Sequence, residues 1–448
     1  MHLKKNQLYK IFYYVLISLI VIFNGGNYDL FSQVNFILIS FFLLFCFKNL
    51  NYKAHINKFY SDNKKIIIIY LIFLSYLLFQ ILPLPIDILE FFSPTKIQLL
   101  KNLDYSTRFS SISLNPGKSY FILLNYISLI LYLIVFKVIF YKERHLLNFY
   151  FFLSFISFIA SAVAIYFYLI GNPDFLFIKN IYYSNSSTGF FTNRTVFACF
   201  LNLGFLSSIE YLNLLNSHNK KLKENYFHKI YIRLFLLFIT IGIITSFSRI
   251  GNFLLIMLIL IYISRFFLEK KNKNYLIFYT LIAIVLIDIL IIGLFFDGYQ
   301  LIDRFFFLKS ELNYYINETN EISSIKRGDI ARFSFSQLDK FLFFGYGSGG
   351  YEILFKIFYP TSIGSFANHA HFDIVEFVGE FGLVGSFIIA LMILKVIKKI
   401  QFLESKNIYL ILFIFLILFF DFSLHIPLIQ IILILLFSTK NKYQEINY

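Results

Sequence analysis

The sequence predicts an all-α, polytopic integral membrane protein, and three observations carry that reading. Of its 448 residues 58% are hydrophobic and 15% charged, with a mean hydropathy of +0.72, which is too apolar for an ordinary soluble chain. Apolar runs of about 20 residues, enough to cross a hydrocarbon core, recur along its length. The formal net charge of +15 would fit a nucleic-acid partner, but lysines and arginines fall in short clusters between the apolar runs, as the positive-inside rule requires. The basic balance therefore reports topology, and no nucleic acid is expected.

Hydropathy places about twelve spans, near residues 8–23, 34–47, 65–82, 119–140, 146–170, 190–214, 231–247, 251–268, 275–296, 382–400, 408–420 and 424–438. The first follows Lys4, Lys5 and Lys10 and has no small-residue cleavage site before Asn24, so it is expected to remain as a helix. Asp421 and Pro427 predict a tight turn between the last two. With the N-terminus assigned to the cytoplasm, YKERH, HNKKLKENYFHK, EKKNKN and the tail KNKYQEINY share that side, while most carboxylates fall on the other. Both termini are then cytoplasmic. Three regions result: a transmembrane region of about nine helices (1–296), a large external loop (297–381), and C-terminal helices with a tail (382–448).

Three external segments follow. Residues 83–118 are proline-rich, and their middle can lie as an amphipathic helix at the interface. Residues 171–189 lead into FTNRTVFA at the mouth of a span. In the longest, 303–320 mixes charges and aromatics, 326–341 and 366–381 have helical spacing, and 345–350 is a glycine turn. Cys46 and Cys199 sit inside apolar runs, which excludes a disulfide framework or a zinc site built on them.

Polar chemistry concentrates between Arg327 and Gly385. GYGSGG formally fits G-x-G-x-x-G through Gly345, Gly347 and Gly350, but a dinucleotide site needs a βαβ unit and a following acidic residue. A tight turn whose amides approach a helix or an anion fits better. His369, His371 and Asp373 form H-x-H-x-D. On a strand these would share a face and could hold a metal, whereas FANHAHFDIVEFVGEFG reads as a helix capped by Asn368, on which i and i+2 diverge. No metal is expected. The remaining readings are a solvated loop histidine or a catalytic one that takes a proton from a hydroxyl nucleophile. His369, Asp373, Glu376 and Glu380 form one polar stripe that needs a polar partner or a cavity. Arg194, Arg249 and Arg327 stand at the external boundary. Each alone could snorkel to headgroups; together they could clamp a diphosphate, which guanidinium matches bidentately.

These segments resemble the O-antigen ligase and O-antigen polymerase superfamily of bacterial envelope glycosyltransferases. LLFQILPLPIDILEFFSP and SISLNPGKSYFILLNY look like that family's first external loop. GFFTNRTVFACF resembles its G-x-F-x-N-R-N-x-x-A segment, with Thr195 in place of the second Asn, and TSFSRIG resembles its T-x-S-R-G turn with Ile250 added. Arg327 precedes Gly345 as in the family's R…P-L-x-G-x-G-x-G pattern, with Ala331 for the usual Trp and Leu342 for the usual Pro. NHAHFDIVEFVGEFGLVG resembles A-H-N-x-x-L…E-x-G-L-x-G, with His371 and Glu380 matched and Phe372 for the Asn; DFSLHIPL is similar to D-F-P-L-x-x-P.

The resemblance implies a membrane-embedded glycosyltransferase of GT-C-like architecture in the bacterial inner membrane, with a periplasmic active site. It would take a glycan from undecaprenyl diphosphate without a nucleotide sugar, a cofactor or a metal. His371 would be the catalytic base or acceptor-orienting group, with His369 and Glu380 as further catalytic candidates, and Arg194, Arg249 and Arg327 would hold the diphosphate. The acceptor would be the lipid A core in a ligase, a growing lipid-linked glycan in a polymerase, or a protein hydroxyl in an O-oligosaccharyltransferase. A transporter of lipid-linked oligosaccharides is the contrasting class; it would place polar residues at the bilayer midplane in matching halves, and Asp288 is the one clear midspan charge in the sequence.

Overall fold

The structure is a computed structural model that describes residues 2–49, 53–104, 107–174, 185–217, 224–268, 274–295, 327–359, 367–400 and 404–439. The charged and aromatic stretch 303–320 and the C-terminal tail lie outside the described residues, as do the side chains of Asp288 and Arg327. The chain begins with α1 (His2–Ile22), α2 (Asp29–Asn49) and α3 (Lys53–Ile81), followed by the short α4 (Ile86–Phe92) and α5 (Pro94–Asn102). Next come α6 (Pro116–Ile139), α7 (Glu143–Leu169), α8 (Arg194–Ser217), α9 (Glu224–Thr245), α10 (Arg249–Leu268) and α11 (Tyr275–Phe295). It ends with α12 (Arg327–Leu338), α13 (Tyr351–Phe358), α14 (Asp373–Ile397), α15 (Ser405–Phe420) and α16 (Pro427–Ser438). The described sheet is a two-residue antiparallel ladder, Leu84 opposite Ser110 and Pro85 opposite Phe109.

Eight of these helices (α2, α3, α6 to α10 and α14) are long and apolar enough to cross a membrane, and four shorter apolar helices fall on α1, α11, α15 and α16. Large apolar side chains such as Leu30, Phe41 and Leu44 on α2 face outwards, as they must where hydrocarbon is the solvent and the backbone satisfies itself within each helix. At the centre stands α8, buried throughout its apolar length. Small residues bring its neighbours close: a Cβ on Gly204 would lie 2.1 Å from Ser157 Oγ of α7, and one on Gly251 of α10 would lie 2.3 Å from Ala198 Cβ of α8.

Two features depart from the expected pattern. Residues 367–372 are irregular, and the helix starts at Asp373 with Phe372 at its N-cap and no side-chain cap. Asn368 therefore does not cap a helix that carries both histidines. Instead the Glu376 carboxylate reaches back to the Ala370 amide (2.7 Å) and to His369, and His371 takes a left-handed conformation at φ +54°. The second feature is a break in α14 at Gly382 (φ 61°, ψ −173°), which frees backbone groups inside an apolar layer. The glycine turn fills it: the amides of Tyr346 and Gly347 donate to the carbonyls of Gly379 (2.9 Å) and Glu380 (3.1 Å), and Leu383 donates back to Leu342 (2.8 Å). From α3, the Tyr76 hydroxyl caps the Phe381 carbonyl (2.7 Å) and the Gln80 amide caps that of Glu380 (2.9 Å). Gly345 is required here, since it sits at φ +72° and a Cβ would meet the Glu380 carbonyl oxygen at 2.2 Å.

Candidate active site

The break matters because it fixes the first turns of α14, from which Asp373, Glu376 and Glu380 project, each at most 1% exposed. A buried carboxylate requires partners, and all three have them. Glu380 accepts from the Gly349 amide (2.6 Å), so the glycine turn does approach an anion, though one belonging to the chain itself. Glu376 accepts from His369 Nδ1 (2.8 Å) and from the Ala370 amide. Asp373 accepts from the Leu424 amide (3.0 Å) and pairs with His425 Nδ1.

His425 belongs to the short turn Ser423–His425 between α15 and α16. Its ring lies flat on Phe377 at 4.1 Å, and its Nε2 stands 3.5 Å from Glu380 and 3.7 Å from Glu376. Burial alone would push this imidazole towards neutrality, but Glu376 and Asp373 outweigh it and hold it well above the ordinary histidine range. His369 stacks on Phe422 at 4.4 Å, and its ring is 5.5 Å from that of His425. Because a carboxylate only accepts, His369 Nδ1 carries the proton in this pair, which leaves Nε2 as the basic nitrogen of the neutral ring.

His369, Glu376, Glu380 and His425 line a cavity of about 660 Å³ counted with its open mouth, whose other walls include Asp29, Lys118 and Tyr126. Lys118 also approaches Glu352 at 3.8 Å, and Glu352, held mainly by Lys356, is kept below the usual carboxylate range. With buried acids, one deep cation, a basic ring nitrogen and an open mouth, the cavity can bind a polyhydroxylated ligand and take a proton from it. His369, Glu376 and His425 also offer ligand atoms within 4.8 Å of one another, although the first of these is engaged in the hydrogen bond to Glu376.

Of the residues expected from the sequence, His369 and Glu380 come together in this cavity. His371 stands beside it, half-buried and edge-on to Phe422 at 5.0 Å, and is not among the lining residues. Arg194 and Arg249 open α8 and α10, which meet at Ala198 and Gly251, and α8 also touches the turn that carries His425. They are half-buried, and neither lines the cavity. The side chain of Arg327 lies outside the described residues. His425 and Lys118 were not expected. His425 had a signal in DFSLHIPL, a polar interruption between apolar runs; Lys118 had none beyond its place at the start of a span.

The fold and this cavity define a class: a multi-pass helical membrane protein with a carboxylate–histidine site at one end of its bundle. Residues 234–390, from α9 into α14, match the family model described as O-antigen ligase, a match that supports the O-antigen ligase superfamily of polysaccharide biosynthesis. No curated protein matches the chain. The matched segment contains Arg249, Arg327, the glycine turn, both histidines and Glu380; Arg194 and His425 lie outside it.

Proposed function

We infer that this protein transfers a glycan from undecaprenyl diphosphate to an acceptor hydroxyl at the periplasmic face of the bacterial inner membrane, with the lipid A core as acceptor. The observation that carries the reading is the His369–Glu376 pair at the cavity wall, 2.8 Å apart. Glu376 orients the ring and stabilises the imidazolium that forms; His369 Nε2 takes the acceptor's proton as its oxygen attacks the anomeric carbon. The bond from that carbon to the diphosphate oxygen breaks, and its electrons leave with the diphosphate. By the family resemblance we assign that group to Arg194, Arg249 and Arg327, the first two standing outside the cavity wall, since preplaced guanidinium stabilises growing negative charge. His371 orients the acceptor. A second reading exchanges the two histidines, because His371 is the one that matches the family motif ending in Glu380.

The test uses purified protein and an undecaprenyl diphosphate-linked glycan, with lipid A core, with a hydroxyl-bearing peptide, or with no added acceptor. Transfer to the core is expected from the wild type. H369A should lose turnover and H371A should chiefly raise the acceptor KM, whereas the reverse pattern would establish the exchanged reading. Longer lipid-linked chains without added acceptor would make the protein a polymerase, and product on the peptide alone would make it an O-oligosaccharyltransferase. A folded wild type that transfers nothing from any lipid-linked donor would refute the reading.

A further inference from the structure

We propose that His425 is the positioning residue of this site, a largely enclosed cation wedged between Glu376 and Glu380 that keeps each carboxylate turned to its working partner. The proposal rests on the functional reading above for its consequence, but on geometry for its substance. Glu376 and Glu380 stand one turn apart on α14, and two like charges at that spacing repel, the more so where burial removes water. Glu376 must nevertheless face His369, and Glu380 must face the Gly349 amide. The Nε2 of His425 lies 3.7 and 3.5 Å from the two carboxylates, at ion-pair distance from both.

The ring has little freedom to turn away. Asp373 holds Nδ1, and Asp373 is itself fixed by the Leu424 amide (3.0 Å) and by its own amide on the Asp421 carbonyl (3.1 Å). Phe377 covers one face. The titratable and charged groups around the ring are Asp373, Glu376 and Glu380 from α14, His369 from the preceding turn, and Asp421 from the turn that carries it; Lys118 and Tyr126 of α6 and Asp29 of α2 share the cavity. Carboxylates outnumber the cations near the ring, and the burial penalty that would discharge it is outweighed. A folded-state value raised above the unfolded one contributes stability that is complete at low pH and is lost as pH rises through the folded value.

The experiment is thermal unfolding of the full-length protein in detergent from neutral to alkaline pH, beside transfer assays, for the wild type, H425Q and H425K. The wild type should lose stability on the alkaline side and H425Q should not show that loss. Turnover per folded H425Q molecule should fall about a hundredfold, the scale of a disabled acid–base group, with the donor KM nearly unchanged. H425K restores a cation and should recover part of the turnover. A merely structural histidine would lower melting temperature without these changes. Wild-type turnover in H425Q, an unchanged alkaline loss, or no recovery in H425K would each overturn the proposal. So would a stoichiometric divalent metal in the wild type that H425Q lacks, because the cation between the carboxylates would then be a metal ion. If the wild type transfers no glycan, the functional reading fails and the unfolding curves alone decide the proposal.

Discussion

At one end of the bundle Glu210, Tyr262, Lys406 and Thr439 are gathered, and at the other Asp373, Glu376, Glu380 and His425. Both groups are buried but for the partly exposed His425, yet they differ in what their polar atoms have left to do. In the first, Lys406 donates to the carbonyl and hydroxyl of Thr439 (2.6 and 2.8 Å), Tyr150 shares that hydroxyl (2.7 Å), and Tyr262 and Asn213 both donate to Glu210. None of these residues lines the cavity. In the second, the carboxylates have partners, but His425 Nε2 stands at 3.5 and 3.7 Å from Glu380 and Glu376, and these three residues open on the cavity. Burial of charge marks a structural network as readily as an active site; polar capacity directed at an open cavity separates the two.

The comparison predicts opposite consequences for equally drastic substitutions. The largest effect is expected from H369A, which should lower turnover by about 10²–10⁴-fold, the usual worth of a positioned acid–base group, while the melting temperature barely moves. R249Q should follow with a loss of about 10²-fold in kcat/KM, if its guanidinium stabilises the leaving diphosphate as a preplaced donor does; a competition assay with undecaprenyl diphosphate would show weakened binding. K406M in the closed cluster should cost about 1–3 kcal/mol of stability by stranding the Thr439 acceptors, visible in denaturation, with turnover per folded molecule unchanged. Smallest of all, E352Q removes a half-exposed pair with Lys356 and Lys118, worth less than about 1 kcal/mol. Because Glu352 titrates below its ordinary value, that small contribution is present above the unfolded value and fades as pH falls through the folded one.

Much of the fold is legible in the chain because a bilayer imposes one demand on every span. Hydropathy therefore marks each apolar helix, including the four that are shorter than a full crossing. The site is legible only in part. Glu380 and His369 stand out as polar residues in an apolar setting, but a continuous helical stripe through His369 and Asp373 is not how they meet. The irregular segment holds His371 in a left-handed turn and ends at Phe372, and Glu376 reaches back across it. The break at Gly382 is likewise invisible in composition, since it depends on amides that the glycine turn supplies from a separate segment. His425 meets Asp373 across 52 residues of sequence, a tertiary pairing that periodicity does not report, and DFSLHIPL shows only that something polar interrupts the last two helices.

The most direct measurement is the turnover of H369A and K406M, each normalised to folded protein, with an undecaprenyl diphosphate-linked glycan and lipid A core. The account predicts that H369A is nearly inactive and normally stable, and that K406M is destabilised and fully active. Equal activity in the two, or an active H369A, would contradict it.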